Sequence, residues 1–360
     1  MEQVYALGVS CIEFIQDWFA EYEDYFEVIN NLSNPHYAHE ILFPLVSIID
    51  SVFASQLLLC LSFGGWLNSV MKWWLLEDRP YWWVQITSFY DKAQRPRLRQ
   101  TGQSCETGPG CPSGHSATIA TLMVLTIMWL QHVMNDRKCY VRWWKCIVYP
   151  LCAVTVLSVM CARMYVATHF PHQVLLGALI GAFMAPALCI YVTDPYIWQY
   201  GFHTNYKVGR AVFWHLFSAV MMIAISIVTY YSLKLCGWDP MWSVKLAFRW
   251  CEYPDNIHVS TTPMFALVQS TASIVGWSLC VTPAVAKYRH YTKNRSLLIS
   301  MFSTVALVYG IKQLQHNVTT VTAFRYYTAN FVITAVIPPL LLRFVPMLAM
   351  WPYSGKDKLD

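Results

Sequence analysis

The sequence predicts an all-α polytopic membrane protein, and three observations lead there. Of 360 residues, 56% are hydrophobic and 12% charged, about half the charged share of a soluble domain. Apolar runs long enough to span a bilayer recur along the chain. Lysine and arginine collect in alternate connecting segments, the pattern of membrane topology. No internal repeat, low-complexity tract or linker interrupts residues 1–360, so a single integral domain is expected. The net charge of +5 is small and scattered, and no nucleic-acid partner is expected.

The elements follow in order. Residues 1–35 carry Glu2, Glu13, Asp17, Glu21, Glu23, Asp24 and Glu27 and no lysine or arginine, unlike a secretory signal. Nine spans are expected, at about 38–55, 57–77, 115–133, 144–162, 172–192, 211–232, 263–284, 297–315 and 325–348. An odd number puts the termini on opposite sides. Arg137, Lys138, Arg142 and Lys145, then Lys207 and Arg210, then Lys287, Arg289, Lys293 and Arg295, and Lys356 and Lys358 in the tail 351–360, all fall on one side. The positive-inside rule makes that side cytosolic and leaves the N-terminus lumenal or exterior. Residues 79–114 break the rule with Arg79, Lys92, Arg95, Arg97 and Arg99: either a tolerated exception or a positive field for an anion.

Twelve cysteines lack CxxC spacing, and most lie in apolar runs. Cys105, Cys111, Cys236 and Cys251 fall on the lumenal side, where a disulfide is open but unassigned. Of three sequons, Asn31 and Asn317 lie on the side that permits glycosylation and Asn294 does not. Asp50 inside the first span either packs against a neighbouring helix or helps bind substrate. GALIG, with Gly177 and Gly181, predicts a close helix contact. Tyr81, Trp82 and Trp83 form an interfacial belt or border a pocket.

Three polar clusters carry the chemistry. In KWWLLEDRP (72–80), Lys72 and Arg79 are seven apart, which on a helix aligns them to within about 20°, and Pro80 ends the helix at Arg79. Lys72 sits two turns inside an apolar segment, where a charge is a functional candidate; alone it fits an interfacial anchor as well. In GPGCPSGHSAT (108–118), Ser113 is an N-cap ahead of an apolar helix. The amides of Gly114 and His115 would then form an anion site at the helix start, with His115 in reach. In CARMYVATHFPHQ (161–173), Arg163 closes one span, and His169 and His172 precede the next. Each is weak alone. The topology, set by other loops, nevertheless places Lys72, Arg79, His115, Arg163 and His169 on one side at helix ends. Three cations, two histidines and a helix N-terminus describe a phosphate-transfer site. No HExxH-type spacing or carboxylate cluster accompanies them, so neither metal nor cofactor is expected.

These pieces, in this order, resemble the phosphatidic-acid-phosphatase type 2 / haloperoxidase (PAP2) superfamily. Its K-x6-RP, PSGH and R-x5-H motifs appear as KWWLLEDRP, PSGH and RMYVATH. RPYWW, CETGPG before PSGH, HFPHQV and WCEYPDNIHVSTTP resemble the glucose-6-phosphatase catalytic subunit family. The resemblance implies a PAP2-type helical core with all three motifs in 38–192, additional helices over 193–350 and a cytosolic tail at 351–360. It implies His169 as the nucleophile, His115 as general acid/base, and Lys72, Arg79, Arg163, Ser113 and Gly114 as phosphate ligands. It further implies metal-free hydrolysis of glucose 6-phosphate at the lumenal face of the endoplasmic reticulum membrane, in gluconeogenesis and glycogenolysis, coupled to a separate glucose-6-phosphate transporter. Membrane lipid is the other partner. The rivals are a lipid phosphate phosphatase, a weakly active paralogue and a transporter. Ala162 stands where the superfamily often has Ser, and Gln173 where it often has an Asp orienting the nucleophilic histidine. Cys111 and Asn34 also depart from relatives. The tail KDKLD resembles a dilysine retrieval signal.

Overall fold

The computed structural model describes residues 1–91, 93–136, 142–193, 208–257, 261–281, 296–318 and 322–350. Lys92, Arg137, Lys138, Lys207, the Arg210 side chain, Lys287, Arg289, Lys293, Arg295, the Asn294 sequon and the tail with Lys356 and Lys358 lie outside the described residues. The elements are helical: α1 (Glu2–Trp18), α2 (Glu23–Leu32), α3 (Pro35–Tyr37), α4 (Phe43–Ile49), α5 (Ser51–Leu75), α6 (Pro80–Ile86), α7 (Gly114–Asp136), α8 (Trp143–Tyr165), α9 (Pro171–Leu188), α10 (Val208–Leu235), α11 (Trp242–Trp250), α12 (Pro263–Cys280), α13 (Leu297–His316), α14 (Ala323–Pro339) and α15 (Val345–Met350).

Among the described residues, eight helical stretches are long and apolar enough to cross a membrane, beginning with Ser51–Ile86 and ending with Ala323–Met350. All eight match expected spans, the first of them running beyond 57–77 at both ends. The difference lies at 38–55, which is not one helix. A π-helical turn over Ala38–Leu42 leads into α4, which stops at Asp50 (φ −144°, ψ 108°). The buried Asp50 carboxylate accepts the amides of Val52 at 2.9 Å and Phe53 at 3.1 Å. Asp50 therefore caps the start of α5, where a carboxylate also meets the favourable end of the helix dipole. Its polarity marks a helix boundary.

The chain divides into two compact units, each assembled from separated segments. The first comprises Met1–Pro35, Gly64–Ala185 and Ile225–Ala266. The amphipathic α1 turns Tyr5, Val9, Ile12 and Gln16 inward. Their spacing of three to four residues is helical. They cover Tyr81, Trp82, Trp83, Tyr165 and Phe170. Tyr5 stacks on Phe170 at 4.5 Å and meets Trp83 edge-on at 5.3 Å. The aromatic run 81–83 is thus buried in the core beneath α1. Arg95 donates to the carbonyls of Gln85 and Thr87, and Arg99 reaches the Tyr165 hydroxyl at 3.4 Å. Arg95 thus braces its own loop, whereas Arg99 ties that loop to α8 and, through Glu23 at 3.8 Å, to α2. A Cys105–Cys251 disulfide, Cα atoms 5.6 Å apart, ties that loop to the segment after α11. Cys111 and Cys236 are free thiols.

Gly177 and Gly181 let α9 approach α7 closely, as GxxxG predicts. A Cβ at Gly181 would lie 2.1 Å from the Ala117 carbonyl oxygen, and one at Gly177 would lie 2.4 Å from that of Ser113. Gly181→Ala is expected to destabilise the protein by about 1–3 kcal/mol through overpacking. Gly310→Ala, with open space around the added carbon, should be neutral or slightly stabilising. Thermal unfolding of the two variants in detergent checks the contrast.

The second unit comprises His36–Phe63, Pro186–Ala224 and Leu267–Asp360. There the Trp277 indole donates to the Ser55 carbonyl at 2.9 Å, and Gly276 sits against Ala335 and Pro338.

Candidate active site

All seven residues singled out by the sequence lie in the first unit, and local backbone chemistry explains each placement. Helix α5 ends at Leu75, not at Arg79. Leu76 adopts φ +51°, its amide returning to the Lys72 carbonyl at 3.1 Å. Arg79 is extended (φ −103°, ψ 151°), as a residue before proline prefers, and it opens α6. Lys72 and Arg79 therefore do not share a helix face. They converge because both reach the loop 108–110. The Lys72 ammonium donates to the Pro109 carbonyl at 2.6 Å. Arg79 donates Nε to Gly108 O at 2.6 Å and a second nitrogen to Pro109 O at 3.3 Å.

The spacing from Arg163 to His169 has a similar cause. Helix α8 closes with Ala167 at φ +54°, its amide on Met164 O at 2.9 Å, and the Thr168 amide on Arg163 O at 3.2 Å. This double closure is a Schellman-type end with alanine in the left-handed position. It folds the chain back so that His169 faces the same Glu106 carboxylate as Arg163, beside Arg79. Ser113 caps α7: its hydroxyl accepts from the Ser116 amide at 3.5 Å, and its carbonyl takes the Ala117 amide at 3.1 Å. Gly114 opens the helix against the Asn68 amide group, which itself donates to Pro112 O at 3.1 Å.

At the centre stands a residue the sequence reading did not single out. Glu106 pairs through Oε2 with Arg79 at 2.9 Å and through Oε1 with Arg163. His115 Nδ1 lies 3.5 Å from Oε1, and His169 Nε2 lies 3.9 Å from Oε2. The two histidines therefore address opposite oxygens of one carboxylate, each beside its own arginine. Asn30 of α2, also missed, accepts from Arg163 and donates to Gln103. Nothing periodic links Glu106 or Asn30 to the basic residues. CETGPG, quoted above for its resemblance, was the available signal for Glu106.

Electrostatics follow from burial. Arg79, Arg163 and His169 are at most 1% exposed. Burial pushes the Glu106 pKa up, but Arg163 and Arg79, with His115 and His169, outweigh it and hold the carboxyl well below the usual range. Burial, reinforced by Arg79 and Arg163, holds His169 well below 6.5, so its ring is neutral at neutral pH. Its Nδ1 lies 2.8 Å from Gly110 O. A carbonyl only accepts, so Nδ1 carries the hydrogen and Nε2 presents its lone pair to the cluster. Gln173, at the position where relatives often carry an orienting Asp, does not touch that ring. Its amide donates to Glu77 and to Asp78 O, each at 2.9 Å, and its oxygen accepts the Phe170 amide. The Gly110 carbonyl does the orienting instead. Gly110 is held by its amide on Glu77 O at 2.7 Å. His172 pairs with Glu77 at 2.8 Å, outside the cluster.

The His169 shift has a measurable sign. Above pH 6.5 both folded and unfolded chains hold it neutral. Below 6.5 the unfolded chain takes a proton that the folded site refuses, so stability falls as pH falls, by up to about 1.4 kcal/mol per pH unit. Thermal unfolding of wild type against His169→Gln, from pH 8 down to 5, is expected to show the steeper acid loss in wild type.

Among the described residues, no group of three or more His, Cys, Asp and Glu side chains is placed to hold a metal ion. The arrangement is a buried anion seat with a lone-pair nitrogen on one side and a second imidazole on the other. Residues 53–197, which contain every predicted site residue, match the sequence profile of the PAP2 superfamily. The chain is also similar over nearly its full length to glucose-6-phosphatases. It is 28% identical to Glucose-6-phosphatase catalytic subunit 1 of Canis lupus familiaris, over 99% of this chain and 98% of the relative. It is 29% identical to Glucose-6-phosphatase 2 of Homo sapiens, over 96% of each. No solved structure matches the chain.

Proposed function

We propose that this protein hydrolyses a phosphate monoester, glucose 6-phosphate, through a phosphohistidine on His169. The observation that carries the reading is the opposition of the two histidines across one anion seat. The Nε2 lone pair of His169 attacks phosphorus as the bond to the sugar oxygen breaks, and His115 gives that oxygen a proton. Water then attacks the phosphohistidine, His115 takes its proton, and the N–P bond breaks to free inorganic phosphate. The covalent step divides one displacement into two. Arg79 and Arg163 bear on the equatorial oxygens, Lys72 adds positive charge at loop 108–110, and Ser113 and Gly114 offer the start of α7. No step calls for a metal.

The site is read as lumenal in the endoplasmic reticulum membrane, and the pathway as gluconeogenesis and glycogenolysis. Because glucose 6-phosphate arises in the cytosol, a separate transporter must deliver it. The Cys105–Cys251 disulfide beside the seat supports an oxidising compartment. Asn31 and Asn317 are exposed, as glycan acceptors must be. A lumenal N-terminus with a cytosolic tail requires that the broken stretch 35–49 cross as well as the eight longer ones.

A substrate panel on the purified protein tests the reading. Release of phosphate from glucose 6-phosphate in preference to phosphatidate supports it. Preference for phosphatidate makes the chain a lipid phosphate phosphatase with the same chemistry. No hydrolysis of either removes the enzymatic reading.

A further inference from the structure

Glu106 poses a problem for a phosphate site, because its carboxylate already fills the seat. Both arginines and both histidines that would receive phosphate face its two oxygens. We propose that Glu106 is a resident anion that neutralises the empty seat, is displaced by incoming phosphate and returns to expel the product phosphate. The inference rests on the phosphatase reading and adds how that site is loaded and emptied.

Three features favour exchange over a fixed structural pair. First, the cations are buried, and uncompensated buried charge is costly, so an unliganded seat needs an anion. Second, the Glu106 side chain is 19% exposed while those of Arg79 and Arg163 are 1%. The carboxylate therefore lies on the open side of the cluster, and the guanidinium groups lie behind it. Third, the backbone around it is pinned. Cys105 is disulfide-bonded, the Tyr81 hydroxyl donates to Glu106 O at 2.9 Å, and the Glu106 amide donates to Ser104 O at 2.9 Å. The Thr107 and Thr261 hydroxyls meet at 3.0 Å. Exchange then needs a rotation about the Glu106 side chain and no loop movement. One carboxylate brings one negative charge and two acceptor oxygens. A phosphate dianion brings more of both and wins the arginines. The returning carboxylate competes with the product, which keeps a deep cationic seat from retaining inorganic phosphate.

The test is direct binding of inorganic phosphate to the purified full-length protein, wild type against Glu106→Gln. Removing a competitor raises affinity, whereas damage to a structural pair lowers it. Glu106→Gln is expected to bind phosphate at least tenfold more tightly and to show stronger product inhibition. Unchanged or weaker affinity overturns the proposal. Should that variant fail to fold, a structure of the wild-type protein with orthovanadate decides. A carboxylate turned away from Arg79 and Arg163 supports exchange, and one still bridging them overturns it. Wild-type protein that binds neither phosphate nor vanadate sinks the phosphatase reading and this inference together. Tight binding with Glu106 still in place sinks this inference alone.

Discussion

His169→Ala is expected to abolish both turnover and the covalent phosphoenzyme, lowering kcat by about 10⁴-fold or more. The reason is specific to this nitrogen. His169 is fully buried, its Nδ1 is committed to the Gly110 carbonyl, and its Nε2 faces the seat beside Arg79 at 3.3 Å. Among the described residues, no second lone-pair nitrogen is held in that position. His115 stands at the other carboxylate oxygen, on the opposite side of the seat from His169. Alanine leaves the Gly110 carbonyl without its donor, at about 1–3 kcal/mol, so a parallel His169→Gln variant, which can still donate there, separates chemistry from folding. Protein incubated with glucose 6-phosphate labelled in its phosphate, then denatured at alkaline pH where a phosphohistidine survives, is the measurement. Label retained by wild type and absent from both variants is the expected result, and label persisting in His169→Ala would place the nucleophile elsewhere.

What the sequence made legible, and what it hid, follows from the range of each interaction. The three motifs were readable because short-range backbone chemistry enforces them. The closures at Leu76 and Ala167, the pre-proline extension of Arg79 and the Ser113 cap each act within a few residues. Lys72 and Arg79 converge as the seven-residue spacing predicts, but through loop 108–110 and not along a helix face, since α5 stops before Arg79. The eight long spans were legible as hydropathy. The break at Asp50 was not, because a capping carboxylate and a buried polar residue look alike in an apolar run. The amphipathic spacing of Tyr5, Val9, Ile12 and Gln16 was present in the sequence, interleaved with the acidic Glu2, Glu13 and Asp17. Glu106 and Asn30 meet the arginines only through tertiary folding, so the family-like CETGPG stretch alone marks Glu106 and no local pattern marks Asn30.

Arg79→Lys is expected to lower kcat by about 10²–10³-fold, although it preserves the charge. Arg79 makes more directed contacts than one ammonium can replace. It donates to the carbonyls of Gly108 and Pro109, to Thr168 O at 3.2 Å, toward His169 Nε2 at 3.3 Å, and to Glu106 at 2.9 Å. Its planar fork thereby holds three parts of the site in register: the loop before PSGH, the turn carrying His169 and the seat itself. Lysine offers a compact point charge on a flexible stem. It can keep one or two of these contacts and must leave buried carbonyls unpaired, at about 1–3 kcal/mol each. The expected signature is a fall in kcat larger than any rise in KM, because attraction for the phosphate dianion survives while the nucleophile loses its alignment. Steady-state kinetics on a variant whose thermal midpoint has been checked read this out. A KM effect alone would mean that Arg79 only attracts substrate, and that the geometry around His169 is held by Gly110 without it.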